Sequence, residues 1–318
     1  MDSGLVSNKP TYLHGQDGTG YAAFMPPPNR AERVSAPDRW RRLGPKVTIC
    51  LGAISHFDRS IVLVSDRMLT VGNRTADNST IKWYAIHGDW CAEFVGDAGI
   101  ASTVLQRAIP LLDAKQPHTA VAVGEVMERA IADERASLMR AEYSFSTDQL
   151  NNLSPKEMRR LVRRIKWPCE FLVAGFDLDA YPQLLWLGSD GKARNCGSFG
   201  YWCVGSGAEI ALASLARRGQ NTQRFDTVTN MYHLLEARFA AAADPHVGRD
   251  ETFAMVLRWR SFPTPILLYA DLQQLKAMCA AQNQTYPTGA LDLVRAMFER
   301  ASTHAQQLPP PVVGPPVQ

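Results

Sequence analysis

Two apolar, β-branched runs that lead into an acid constrain this chain more than any other feature. Residues 47–55 (VTICLGAIS) and 60–65 (SIVLVS) flank the short polar segment 56–59, a pattern that predicts a hairpin of two strands. Period-2 alternation sets Thr48 and Cys50 on one face of the first strand. The second strand ends in Asp66, a carboxylate that needs a partner if it is buried. Lys82 lies in a third short strand, expected over 80–86 and otherwise apolar on both sides. A hydroxyl or thiol, a carboxylate and an ammonium at the ends of neighbouring strands are the components of a lysine-assisted nucleophile.

The bulk of the chain allows such a site a large frame. At 318 residues there is enough chain for a sizeable core, in one large domain or two. Hydrophobic residues at 46% and charged residues at 20% are ordinary for a globular protein. A net charge of +3 argues against a nucleic-acid partner. The six cysteines show no CxxC or zinc-like spacing, and four lie inside apolar runs, where a thiol acts as a small hydrophobe. No secretory signal and no apolar stretch of about 18 residues is visible, so the expected setting is a reducing cytoplasm without a membrane.

Residues 1–46 carry Gly, Pro and polar residues without periodicity and read as a disordered arm or a pro-segment, broken off by Gly44-Pro45. Residues 47–306 are the expected domain, and 307–318 form a proline-rich tail that extends rather than packs. After Gly96, Asp97 is the predicted N-cap of a helix, and 121–143 has the apolar spacing of an amphipathic one. Ser154 to Glu157 reads as a capping box opening an arginine-rich helix, expected to present a solvated face. CEFLVAGFD and QLLWLGSDG predict a second hairpin, and SFGYWCVGSG a strand entering a helix. Ser206 has two readings there: the cap of a box closed by Glu209, or support for a catalytic group. Residues 226–243 predict another capped helix containing His233, with a strand from Thr252, a last strand in PTPILLYADL and a helix over 288–305. This order of strands and helices argues for an α+β fold in which two antiparallel sheets lie between helix layers.

The spacing of the polar residues resembles a known family. The intervals from Cys50 to Asp66 and from Asp66 to Lys82 are both 16, and Gly96 follows Lys82 by 14. Proteasome β-type subunits, of the N-terminal-nucleophile (Ntn) hydrolase superfamily, space nucleophile, aspartate, lysine and oxyanion-hole glycine in that way. SDRMLTVG is similar to the family's Asp-Ser-Arg-Ala-Thr-x-Gly signature, keeping Asp66, Thr70 and Gly72 with Met68 where arginine is usual. Residues 203–218 (CVGSGAEIALASLARR) resemble its strand, Gly-Ser-Gly and helix, with Ser206 as the matching serine. The resemblance runs over roughly 47–270.

That resemblance implies a four-layer αββα Ntn-hydrolase sandwich and hydrolysis of a peptide or other amide bond. The nucleophile's own α-amine, freed by cleavage, would be the base, since it titrates near pH ~8. Lys82, held by Asp66, would activate the nucleophile, and the N–H of Gly96 would stabilise the oxyanion. The family's supporting Asp and Ser before the last strands correspond here to Asp250 alone, without a serine. No metal or cofactor is required, and the implied assembly is a homo-oligomeric ring. The ungapped spacing favours Cys50 as nucleophile. Thr48 is the alternative, with two extra residues accommodated in the hairpin turn. Neither is preceded by the family's glycine: Ile49 precedes Cys50, and Val47 precedes Thr48. The competing expectation is a non-catalytic proteasome-like scaffold or partner-binding subunit.

Overall fold

The computed structural model describes residues 48–71, 74–76, 82–143, 146, 148, 152–157, 167–220, 224–244, 246–248, 252–260, 264–265, 269–281, 287 and 289–307. The expected arm, most of the arginine-rich helix, Asp250 and the proline-rich tail from residue 308 lie outside these residues.

The first hairpin forms as the β-branched runs predict. Ile49–Ser55 (β1) and Ser60–Asp66 (β2) pair antiparallel from Ser55 opposite Ser60 to Cys50 opposite Ser65. Leu69–Val71 (β3) and Arg74–Ala76 (β4) form a separate two-stranded ladder. Trp83–His87 (β5) and Trp90–Gly96 (β6) make the next hairpin, and Ala98–Lys115 (α1) and Ala120–Tyr143 (α2) follow. Asp97 caps α1, its carboxylate accepting from the Ile100 amide at 3.0 Å. The Ser154–Glu157 capping box also forms, with Ser154 N donating to Glu157 at 2.9 Å.

Cys169–Phe176 (β7), Pro182–Leu187 (β8) and Ala193–Asn195 (β9) complete one sheet in the order β5-β6-β7-β8-β9. Tyr201–Gly205 (β10) crosses back to β1, and Thr252–Arg258 (β11) and Thr264–Pro265 (β12) extend the other sheet, ordered β10-β1-β2-β11-β12. Every pairing in both sheets is antiparallel. Ala208–Arg217 (α3), Thr227–Ala241 (α4), Tyr269–Ala281 (α5) and Ala290–Gln307 (α6) are the later helices.

Alternation along β1 explains how the layers stack. Cys50 and Ile54 join Ile61, Leu63, Leu172, Leu184 and Phe253 in a cluster between the two sheets. Ile49, Leu51 and Ala53 point the other way, onto Leu215 of α3, Leu235 of α4 and Val294 of α6. On the second sheet, Phe94, Phe171 and Leu187 face α1 and α2 through Val104, Leu112 and Met127. A strand covered on both faces must be apolar on both, and β1, β2 and β6 are buried throughout. The chain is therefore an α+β protein with two antiparallel sheets packed face to face.

Polar groups fix α4 against the same sheet. The Asn230 amide donates to Ile54 O at 3.2 Å and Ser55 Oγ at 2.9 Å, and the Gln220 amide donates to Asn230 Oδ1 at 2.6 Å. His233 is fully buried beside Gln220, which makes it a core histidine. Of the last expected strand, over PTPILLYADL, Thr264–Pro265 forms β12, and from Tyr269 the same stretch is the helix α5. Leu272 and Leu275, three residues apart, bury one face of that helix.

Leu172→Ala, which opens a hole between the sheets, is expected to cost about 2–5 kcal/mol. Val121→Ala, at a position 70% exposed, is expected to stay near zero. Urea unfolding of the two variants checks this; equal stabilities would mean that the inter-sheet cluster is not packed.

Candidate active site

Thr48 is the residue immediately before β1, and three chain segments converge on it. Lys82, just ahead of β5, donates from its ammonium both to Thr48 Oγ1 and to Asp66 Oδ1. The Thr48 hydroxyl in turn donates to Asp66 Oδ1. Exposures of 2% for Thr48, 0% for Asp66 and 1% for Lys82 put all three out of water. An ion pair so buried survives only with further hydrogen bonds. Asp66 receives them: Ile49 N donates to Oδ1 at 3.2 Å and Gly248 N to Oδ2 at 2.8 Å.

The backbone of Thr48 is held separately, by the turn after β10. Ser206 N donates to Thr48 O at 3.1 Å, and Thr48 N donates to Ser206 Oγ at 3.4 Å. The Ser206 hydroxyl has one proton and two nearby acceptors, Thr48 O at 3.4 Å and His246 O at 3.3 Å. Gly205 makes this approach feasible: its φ is +110°, and a Cβ there would lie 2.1 Å from Thr48 O. The expected cap at Ser206 is not formed. Gly207 occupies the N-cap position of α3 without a side-chain bond, so Ser206 sits one residue too early and keeps its hydroxyl at Thr48.

Of the residues singled out in the sequence, Thr48, Asp66, Lys82 and Ser206 thus meet. Gly96 ends β6 at a φ of +100°, where a Cβ would lie 1.8 Å from Pro168 O. Asp250 lies outside the described residues. Cys50, which the ungapped spacing favours, is turned elsewhere. It pairs with Ser65 one step inside the hairpin, and its thiol donates to Phe94 O at 3.4 Å within the inter-sheet cluster. Burial pushes that thiol well above its ordinary pKa; Glu93 and Asp66 push the same way, and only Lys82 opposes them. A thiol so held is a poor source of thiolate. The difference between the two candidates is one of register: extension of the β1–β2 ladder brings Ile49 beside Asp66, and Thr48, not Cys50, reaches the carboxylate.

The sequence reading passed over Gly248, whose amide reaches Asp66, and Glu93, which bonds to the neighbouring Ser65. Gly248 acts through its backbone amide, which leaves no side-chain signal. Glu93 is a lone acid in the apolar stretch WCAEFVG, a signal that was legible. No group of three or more His, Cys, Asp or Glu that could hold a metal occurs among the described residues. No described helix is long and apolar enough to cross a membrane. No protein-family model matches the chain, and no curated protein matches it.

Lys82→Met removes the counter-charge of a fully buried carboxylate, and a loss of about 3–5 kcal/mol in unfolding free energy is expected. Adding Asp66→Asn, which keeps oxygen acceptor capacity but removes the charge, is expected to recover part of it. A double variant less stable than Lys82→Met alone would contradict the ion-pair account.

Proposed function

We propose that this chain is a proteasome-like Ntn hydrolase that cleaves peptide or other amide bonds, with Thr48 as its nucleophile. The observation that carries this is the convergence of Lys82 and Asp66 on the Thr48 hydroxyl, away from water. Helices on the outer faces of two stacked antiparallel sheets are also what the αββα architecture of that superfamily requires.

The chemistry begins with activation. Thr48 Oγ1 attacks the carbonyl carbon of the residue before it, the peptide nitrogen leaves as an amine, and an ester remains. Water then hydrolyses the ester and frees the chain at Thr48. Its α-amine titrates near pH ~8 and serves as base for the next attack, taking the hydroxyl proton. Lys82 stabilises negative charge as it develops on Oγ1, while Asp66, fixed by the amides of Ile49 and Gly248, orients the ammonium. Ser206 Oγ, now 3.4 Å from Thr48 N, is suitably near to hold the freed amine. Gly96 remains the oxyanion donor implied by the family resemblance, and Asp250 the supporting acid. A homo-oligomeric ring in the cytoplasm completes the proposal, and the free thiols, five of the six buried, fit a reducing setting.

A second reading, an inactive proteasome-like scaffold or partner-binding subunit, is favoured by one observation: Val47 stands before Thr48 where the family has glycine.

Intact mass and N-terminal sequencing of the purified protein separate the readings. The expected chain starts at Thr48. Thr48→Ala is expected to stay unprocessed and to lose amidase activity on the order of 10⁴-fold or more, while Cys50→Ala is processed and active. A mature chain beginning at Cys50 would transfer the role to that residue. An unprocessed wild-type chain without activity would favour the scaffold.

A further inference from the structure

Glu93 is the charged side chain in the middle of β6, a strand buried along its whole length. Cys91 and Val95, two residues to either side, face the inter-sheet cluster, so alternation puts Glu93 on that inner face too. Its ladder neighbours, Trp83 in β5 and Leu172 in β7, carry no charge. Across the gap, the Ser65 hydroxyl donates to Glu93 Oε1 at 3.0 Å. Oε2 has no hydrogen-bond partner among the described residues. The ionisable groups around the carboxyl are Asp66 of β2, Lys82 ahead of β5, Cys50 of β1 and Cys91 of its own strand. Ser65, its one hydroxyl donor, is the chain neighbour of Asp66. The Thr48 site and Glu93 thus share one dry interior.

We propose that Glu93 is a positioning residue of the Thr48 site, an acid that works protonated and whose ionisation weakens the site through Lys82. The proposal rests on the reading of Thr48 as nucleophile. With Glu93 neutral, Asp66 and Lys82 balance each other's charge, and the ammonium is available to the negative charge that develops on Thr48 Oγ1. With Glu93 ionised, two carboxylates act on one ammonium. The ammonium's field at Oγ1 is then partly cancelled, and negative charge developing there is disfavoured. Geometry favours the protonated state, since the oxygen without a partner among the described residues is then uncharged, and an unpaired buried charge costs more than an unpaired neutral group. Burial raises the Glu93 pKa to about 7, with Asp66 adding to the effect; Ser65, Lys82 and Cys50 pull it down. The change of state therefore falls in the neutral range.

Two pH dependences follow, and their signs differ. Activity rises as the freed α-amine loses its proton, near pH ~8, and is held down over that same range by Glu93, which has lost its own proton by then. Stability depends on Glu93 without any catalysis. The folded state holds a proton that the unfolded chain, with an ordinary glutamate, releases at lower pH. Unfolding free energy therefore falls as pH rises from the usual glutamate range through about 7.

The test uses a peptide amide with a fluorescent leaving amine and compares processed wild type, Glu93→Gln and Ser65→Ala, with the unprocessed Thr48→Ala chain as the inactive control. Glu93→Gln keeps a neutral side chain of the same shape. It is expected to retain activity above neutrality, exceeding wild type by about tenfold one pH unit above the Glu93 transition, and to lose the stability slope. Ser65→Ala removes a donor that favours ionisation, so more Glu93 stays protonated and activity above neutrality is expected to exceed that of wild type; this variant decides the matter if Glu93→Gln does not fold. Wild-type pH profiles in both variants, in a protein that Thr48→Ala inactivates, would overturn the role of Glu93 and leave the Thr48 reading standing. Activity that survives Thr48→Ala would overturn the Thr48 reading and this proposal with it.

Discussion

The burial of one ammonium and one carboxylate against a single hydroxyl governs this structure. Taking such a pair out of water costs several kcal/mol per ion, and mutual attraction offsets that only when the remaining hydrogen-bonding capacity is filled. Asp66 meets the condition with donors from Thr48, Ile49, Lys82 and Gly248. Those donors come from the start of β1, the segment before β5 and the turn before β11, so the ion pair closes only when both sheets are in place. The fold and the site are in this sense one cooperative unit.

A second constraint acts on the backbone. Thr48 is held by its own amide and carbonyl as well as by its side chain, through Ser206 and the close passage of Gly205. Clamping main chain and side chain from different strands leaves the hydroxyl little rotational freedom. Preorganisation of this kind suits a group that must attack along one direction.

How much of this was legible in the sequence depended on whether a signal was local. The β1–β2 hairpin, the capped start of α1 at Asp97 and that of α4 at Asp226 are local patterns, and all three formed. Ser206 was ambiguous because a capping serine and a site serine occupy the same Ser-Gly-Ala-Glu string; only the point at which the helix starts, with Gly207 as its N-cap, separates them. Counting residues favoured Cys50, but side chains meet through strand register, and the register delivers Thr48 to Asp66. The helix from Tyr269 was hidden by an apolar run too short to distinguish strand from helix. Glu93 stood out as an acid in an apolar strand, yet nothing in one strand tells which residues it will face across a sheet gap.

That facing matters because Glu93, Asp66 and Lys82 together cannot all ionise without leaving the interior with a net negative charge. Each additional buried charge is opposed by desolvation, and the group with the fewest donors yields first. Asp66 has several donors and an ammonium in contact, whereas Glu93 has the Ser65 hydroxyl, the weak donor of the Cys50 thiol and no ammonium hydrogen-bonded to it among the described residues. Neutrality is therefore reached by protonating Glu93 and keeping the Asp66–Lys82 pair charged. Apolar packing alone would be served as well by a leucine at position 93. An acid kept neutral there makes the field at Thr48 depend on the proton activity around the protein.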